Sequence, residues 1–197
     1  MRNDQANTEP WLDATLATLH GYRTMIQKAI DQLDDEQFFR APAPGFNSVA
    51  NILRHISGNL QSRFDRFLTE DGEKADRSRD QEFEDWPGDR RSLMEYFEGG
   101  WQMLLSIIES LTRDDLQQTV YIRGVAYSVP KAVLRSLTHI AWHVGQIVMI
   151  CRMVVGDDDL WQWLTIAPGQ SEQHNQESWG KRSSESGFAD DERGHSD

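Results

Sequence analysis

Apolar residues recur at helical spacing in four stretches of the chain. From Trp11 to Leu33, the positions Leu12, Leu16, Leu19, Met25, Ile26 and Ile30 share one side of a 3.6-residue helix. Ala41-Pro-Ala-Pro-Gly45 then reads as a connector, because proline and glycine punctuate the backbone. A second stretch starts at Asn47 or Ser48, both good N-caps, and carries Val49, Ile52, Leu53, Ile56, Leu60, Phe64, Phe67 and Leu68 before a turn signal at Asp71-Gly72. A third covers Asp89 to Leu111 through Leu93, Phe97, Trp101, Leu104, Leu105 and Ile108. The fourth follows the capping residue Ser128, with Pro130 in the first turn, where proline is tolerated. It runs to about Val155 through Val133, Leu134, Leu137, Ile140, Val144, Ile147, Val148 and Cys151, and Gly156 with three aspartates stops it.

The intervening segments complete the outline. Residues 72–88 are charged and irregular, and loops of that length between helices tend to be functional or disordered. Phe83 and Trp86 predict that this one packs against the body. Gly99-Gly100 weakens the third helix by about 1 kcal/mol per glycine relative to alanine, which predicts close backbone packing or a kink there. Alternating residues over Thr119–Val129 predict a small hairpin turning at Arg123-Gly124. The pattern thus predicts an all-α four-helix bundle over residues 11–170, with a long crossover loop between the second and third helices and a small hairpin before the fourth. Residues 1–10 read as a flexible N-terminus. Residues 171–197 hold three Lys/Arg and seven Asp/Glu, so they carry -4 of the total -12 and leave -8 for the rest. Their low hydrophobicity predicts a disordered acidic tail. Trp161 and Trp163, just before it, are expected to pack the last segment onto the bundle.

Charge and composition narrow the function classes. A formal charge of -12 over 197 residues argues against nucleic acid as partner and against anionic membranes. No run of 18 or more apolar residues marks a membrane span, and the first ten residues lack the apolar core of a signal peptide. The single cysteine, Cys151, excludes an internal disulfide, lies on the apolar side of its helix, and reads as a buried inert thiol. A cytoplasmic protein is the expectation.

The candidate chemistry lies in three histidines. His139 and His143 stand four apart in His-Ile-Ala-Trp-His-Val-Gly-Gln146, so both imidazoles point the same way from one helix. His55 sits on the polar edge of the second helix with Asn51, Asn59, Ser62 and Arg66. If the two polar strips adjoin, the three rings converge, and three protein ligands leave a metal with open positions suited to catalysis. The alternative is that they are packing or surface residues; whether they converge depends on the topology. His-Glu-x-x-His is absent, as are the paired Glu-x-x-His motifs of di-iron bundles. Gln146 and Asn59 are candidates to orient a ligand or substrate, and otherwise are polar surface residues. Arg63 and Arg66 either meet an anionic substrate or form surface ion pairs. Trp142 either walls the site or fills core; Gly58 and Gly145 read as close-packing positions. Glu95 and Glu98 read as a solvated face, and His20, His174 and His195 as surface residues.

The segments Ser48-Val-Ala-Asn-Ile-Leu-Arg-His-Ile-Ser-Gly-Asn59, Arg79-Asp-Gln-Glu-Phe-Glu84, Tyr121-Ile-Arg-Gly124, His139-Ile-Ala-Trp-His-Val-Gly-Gln-Ile147 and Pro168-Gly-Gln-Ser171 resemble a branch of the DinB-like (YfiT-like) superfamily. The resemblance covers about residues 10–172. It implies a four-helix bundle, often a homodimer, with a divalent metal ion held by His55, His139 and His143. Some superfamily members transfer groups to low-molecular-weight thiols, so the expected activity is a metal-dependent transferase acting on a small-molecule substrate with such a thiol. A metal-dependent hydrolase on the same site is the alternative, and a non-catalytic, metal-stabilised dimeric bundle is another. Zinc, nickel, iron, cobalt and manganese all accept imidazole ligands.

Overall fold

The computed structural model describes residues 9–156 and 160–185. Among them are six helices and one two-stranded hairpin: α1 Pro10–Ile30, α2 Asp35–Phe39, α3 Val49–Phe64, α4 Arg90–Ser110, β1 Thr119–Ile122, β2 Val125–Ser128, α5 Val129–Val155 and α6 Ser171–Glu185. The chain divides into two units, Met1–Trp161 and Gln162–Asp197. The first holds α1 to α5 and the hairpin; the second holds α6.

The helix starts follow local chemistry. Pro10 opens α1, where a missing N–H costs nothing. Ser48 caps α3 in a reciprocal box with Asn51, and Asp89 caps α4 by accepting from the Ser92 N–H. Ser128 accepts from the Lys131 N–H at the start of α5. At the other end of α5, Gly156 takes the left-handed conformation at φ 71°, and Arg40 Nη2 donates to the Val154 carbonyl at 2.7 Å, satisfying a helix-end acceptor.

In the first unit α1 packs on α4 and α5, and α3 packs on the same two helices. Their apolar stripes meet in a core that includes Leu19, Ile26, Leu53, Ile56, Phe97 and Ile140, all at 1% exposure or less. Each such side chain contributes about 1.5–3 kcal/mol by leaving water. Helix α5 is long and apolar enough to cross a membrane by length and composition alone. Its Val133, Ile140, Val144 and Ile147 are instead buried in this core.

Several expectations are corrected. The second helix ends at Phe64, not near residue 71: Asp65 is extended and Arg66 turns left-handed at φ 47°. Phe67 folds back onto Phe64, ring centroids 5.1 Å apart, so the apolar periodicity continues past the helix that suggested it. Beyond the first apolar stretch, which ends at Leu33, Asp35–Phe39 forms the separate α2, opened by a capping box between Asp34 and Gln37. The tail carries α6, with Gln173 donating to Glu177 one turn on at 3.0 Å; such i,i+4 pairs support a helix that composition alone does not reveal. Residues 1–8 and 186–197 lie outside the described residues.

The long loop between α3 and α4 is tied down at both ends. Asp71 accepts backbone N–H bonds from Glu73, Arg123 and Gly124, and the Gly72 N–H bonds the Tyr121 carbonyl, so the loop start is bound to the hairpin. Arg123 and Gly124 both have positive φ, 54° and 72°, the two-residue turn that suits a twisted hairpin. Further on, a 3-10 turn at Asp80–Phe83 lies against α3, where Asn51 Nδ2 donates to the carbonyls of Phe83 and Glu84. That contact brings Glu82 to the side of α3 that carries His55.

Candidate metal centre

His55 projects from α3, and His139 and His143 from one face of α5 on either side of its middle residue, Trp142. Contact between α3 and α5 brings the three rings together. His139 Nε2 lies 3.2 Å from His55 Nε2 and 3.1 Å from His143 Nε2. All three ligand atoms fall within 4.8 Å of one another. Two imidazoles on a tetrahedral zinc, with Zn–N bonds of about 2.0–2.1 Å, place their nitrogens about 3.3 Å apart. The three-histidine group can therefore hold a metal ion.

The surroundings fix which nitrogen of each ring faces the centre. Glu82 Oε2 lies 2.7 Å from His55 Nδ1, and a carboxylate can only accept, so the Nδ1 proton points outward and the Nε2 lone pair inward. Gln146 Oε1 does the same for His143, 2.7 Å from its Nδ1. Two lone pairs thus point at His139 Nε2, which can offer one proton at most, whereas a divalent cation satisfies all three nitrogens. His139 Nδ1 is buried without a hydrogen-bond partner among the described residues. Carboxylates and amides that orient metal-binding imidazoles in this way raise their basicity and fix their tautomers.

Glu82 is itself held. Arg77 clamps it with Nε on Oε1 at 2.8 Å and Nη2 on Oε2 at 2.9 Å. Burial pushes the Glu82 carboxyl up, but the bonds from His55 and Arg77 outweigh it and keep the group below its ordinary value, hence ionised. Gly58, three residues past His55 on the same side of α3, makes room: a Cβ there would stand 2.4 Å from Glu82 Oε1. Phe83 covers the other side of His55, its ring stacked at 4.7 Å. Burial, then the neighbouring His143 and His55, lowers the pKa of His139 to about 3, and burial lowers that of His143. Both rings are therefore neutral at physiological pH, the form that binds metal.

A cavity of about 480 Å³ opens at this centre, bounded by His55, His139, Asn59, Ser136, Thr138 and Trp142 on one part of its wall. Arginines complete it: Arg63, Arg77, Arg79, Arg123 and Arg135. A second cavity, of about 430 Å³, shares Arg77 with the first and is also lined by Glu82, but by none of the three histidines.

Most of the residues singled out in the sequence can now be placed. Gln146 touches His143 directly. Asn59 is buried and lines the cavity without a side-chain bond to any histidine. Trp142 walls the site rather than filling core: it is 69% exposed and stacks over His143, centroids 6.1 Å apart. Arg63 lines the cavity, paired to Glu73 at 2.7 Å, while Arg66 turns outward to Asp65 and Glu70. Gly145 meets nothing within 4 Å, so it is no packing glycine. Cys151 is buried, and burial pushes its thiol up to about 12, which leaves it inert at neutral pH. Glu95 and Glu98 pair with Arg91 and Arg23, away from the cavity. Trp161 is buried, His20 and His174 are exposed, and His195 lies outside the described residues. Sequence reasoning gave Glu82, Arg77 and Phe83 no role at the site. The one local signal is Gly58 on a helix face shared with His55, a gap that something dense must fill.

A solved structure described as a conserved protein of locus from Enterococcus faecalis has a similar fold, with a TM-score of 0.57 and 14% sequence identity over 74% of this chain and 97% of that one. A comparison with curated proteins gives no match. The family model described as "Protein of unknown function (DUF1572)" matches residues 6–170, and the chain belongs to that family.

Proposed function

We propose that His55, His139 and His143 hold one divalent metal ion and that the chain is a metal-dependent enzyme of the DinB-like kind, its four long helices forming a four-helix bundle. The observation that carries the reading is the convergence of three imidazole nitrogens, two with outward protons taken by Glu82 and Gln146, beside an open cavity that His55 and His139 line. A structural site closes all its positions with protein ligands; three histidines beside a cavity leave room for a reactant. A divalent ion bound there supplies positive charge that makes a thiol or a water more acidic near neutral pH.

The residues of the chain do the rest. Glu82 and Gln146 hold the imidazole tautomers, Phe83 and Trp142 cover two of the rings, and Asn59 offers an amide to a molecule in the cavity. The leading activity is transfer to or from a low-molecular-weight thiol, with hydrolysis as the alternative. The exposed Leu134, Met149 and Met153 on α5 support a homodimer. The reading sets the protein in the cytoplasm, and its net charge of -12 speaks against nucleic acid or an anionic membrane as partner. The test is elemental analysis of untagged protein purified without added metal. About one transition metal per chain, lost in His55→Ala and His139→Ala, supports the site; no metal and no uptake on titration defeats it. Thiol-transfer and hydrolysis assays, with and without metal, then separate the two activities.

A further inference from the structure

The chain carries 32 acidic and 20 basic residues, so a wall drawn from it without selection holds more carboxylates than guanidinium groups. The cavity at the three-histidine centre reverses this: five arginines line it and no acidic residue does. Two of the five are committed elsewhere. Arg63 is bound to Glu73 and the Gly72 carbonyl, and Arg77 to Glu82 and Glu73. The other three come from separate parts of the fold. Arg79 belongs to the loop ahead of the 3-10 turn, Arg123 to the hairpin turn, and Arg135 to α5.

Arg79 and Arg135 make no hydrogen bond or ion pair with a carboxylate among the described residues. Each lies over an aromatic ring instead, Arg79 at 5.2 Å from the Phe83 centroid and Arg135 at 5.9 Å from that of Tyr127. Such stacking orders a guanidinium while leaving its N–H edge free to donate. Arg123 has only a shared contact with Glu73, at 3.4 Å, and Glu73 already serves Arg63 and Arg77. Counting Glu73 and Glu82 behind the wall, the cavity keeps three positive charges in a protein of net charge -12. A concave surface of one sign concentrates counter-ions against the field of the whole molecule.

We propose that the molecule taken by this cavity bears an oxyanion, carboxylate or phosphate, which Arg79, Arg123 and Arg135 bind while its remaining part reaches toward the histidines; this rests on the metal-site reading for its catalytic meaning. Planar guanidinium forks match both oxyanions in the same bidentate way. A cavity of about 480 Å³ admits a small metabolite-sized molecule rather than a polymer.

Calorimetric titration of metal-free, full-length protein with inorganic phosphate, with succinate and with uncharged glycerol tests the proposal. Saturable binding of phosphate or succinate but not glycerol is expected, weakening as salt is raised and at least tenfold weaker in the double variant Arg79→Gln, Arg135→Gln. Preference for phosphate or for succinate tells which oxyanion the site suits. Both arginines are exposed, and an unchanged circular dichroism spectrum and melting temperature certify that the variant is folded. No saturable binding, or binding equal in the wild type and the double variant, overturns the proposal. Zinc uptake measured separately keeps the two readings apart. Arginine-dependent anion binding without zinc uptake sinks the metal site and leaves this inference standing; zinc uptake without anion binding does the reverse.

Discussion

Gly58→Ala distinguishes an ordinary helix glycine from one that makes room for a buried carboxylate. In an exposed helix interior, glycine to alanine gains about 0.8–1 kcal/mol from propensity. At Gly58 the new Cβ would lie 2.4 Å from Glu82 Oε1 and 2.8 Å from Glu82 Cδ, where ordinary contact begins at 3.4 Å. The carboxylate must then retreat by about 1 Å, a figure that sets 2.4 Å against ordinary van der Waals contact. It has little freedom to do so, because it is held at 2.7 Å by His55 and at 2.8 and 2.9 Å by Arg77. Breaking one such bond costs about 1.5–3 kcal/mol, since a charged partner is involved. Subtracting the propensity gain leaves a net destabilisation of about 0.5–2 kcal/mol. Loss of the His55 partner also costs about 10–100-fold in metal affinity, the usual effect of removing a group that orients a ligand. Urea denaturation of metal-free protein reads the first effect, and a competition titration against a zinc chelator reads the second. A variant about 1 kcal/mol more stable than the parent, with unchanged zinc affinity, would refute the placement of Glu82 against Gly58.

Two further outcomes follow from the same structure. Gly99→Ala and Gly100→Ala should differ in sign: Gly99 meets nothing within 4 Å and gains up to about 1 kcal/mol, whereas a Cβ at Gly100 meets the Ser57 backbone at 3.0 Å and its Oγ at 2.6 Å and so destabilises α3 against α4. Equal shifts in urea midpoint for the adjacent pair would contradict the packing. For acid stability, the folded pKa of His139 is about 3 against an ordinary value of 6.5, so the unfolded chain binds more protons between those values. Its contribution is full above pH 6.5 and is lost as pH falls toward 3, and urea midpoints of metal-free protein at pH 7.5 and pH 5 should drop more for the parent than for His139→Gln.

Helix starts were legible because each rests on a side chain next to the backbone it caps, as at Ser48, Asp89 and Ser128. Helix ends were less so. The end of α3 is set by the left-handed turn at Arg66, where no glycine announces it, and Phe67 keeps the helical rhythm by folding back onto Phe64. The short α2 had its signal, Asp34 three before Gln37, but five residues are too few for periodicity to show. The His139–His143 pair was legible since four-residue spacing is a property of one helix. His55 joined it through contact between α3 and α5, which spacing within either helix does not contain. Glu82 lay further out of reach, 27 residues beyond His55 in a segment without periodicity.

That segment is also where stability and site geometry part company. Arg63, Arg77, Glu73 and Glu82 form a chain of ion pairs in which both arginines and Glu82 have side chains 7% exposed or less. Burial lowers the pKa of Arg63 even with Glu73 beside it, so desolvation is not fully offset there, whereas at Arg77, Glu73 and Glu82 the ion pairs outweigh burial. Taking two guanidinium groups and a carboxylate out of water costs several kcal/mol per ion, and apolar residues of similar size often hold a core as well or better. The network is therefore weak evidence for stability. What it does determine is position. It closes the loop between Gly72 and Glu82 onto α3, sets the Glu82 carboxylate on His55 Nδ1, and leaves beside the cavity Arg79 without a carboxylate and Arg123 with only a share of Glu73. A leucine in place of Glu82 could fill the volume, yet it would free the His55 ring to take either tautomer, and the inward lone pair on which the three-histidine centre depends would no longer be assured.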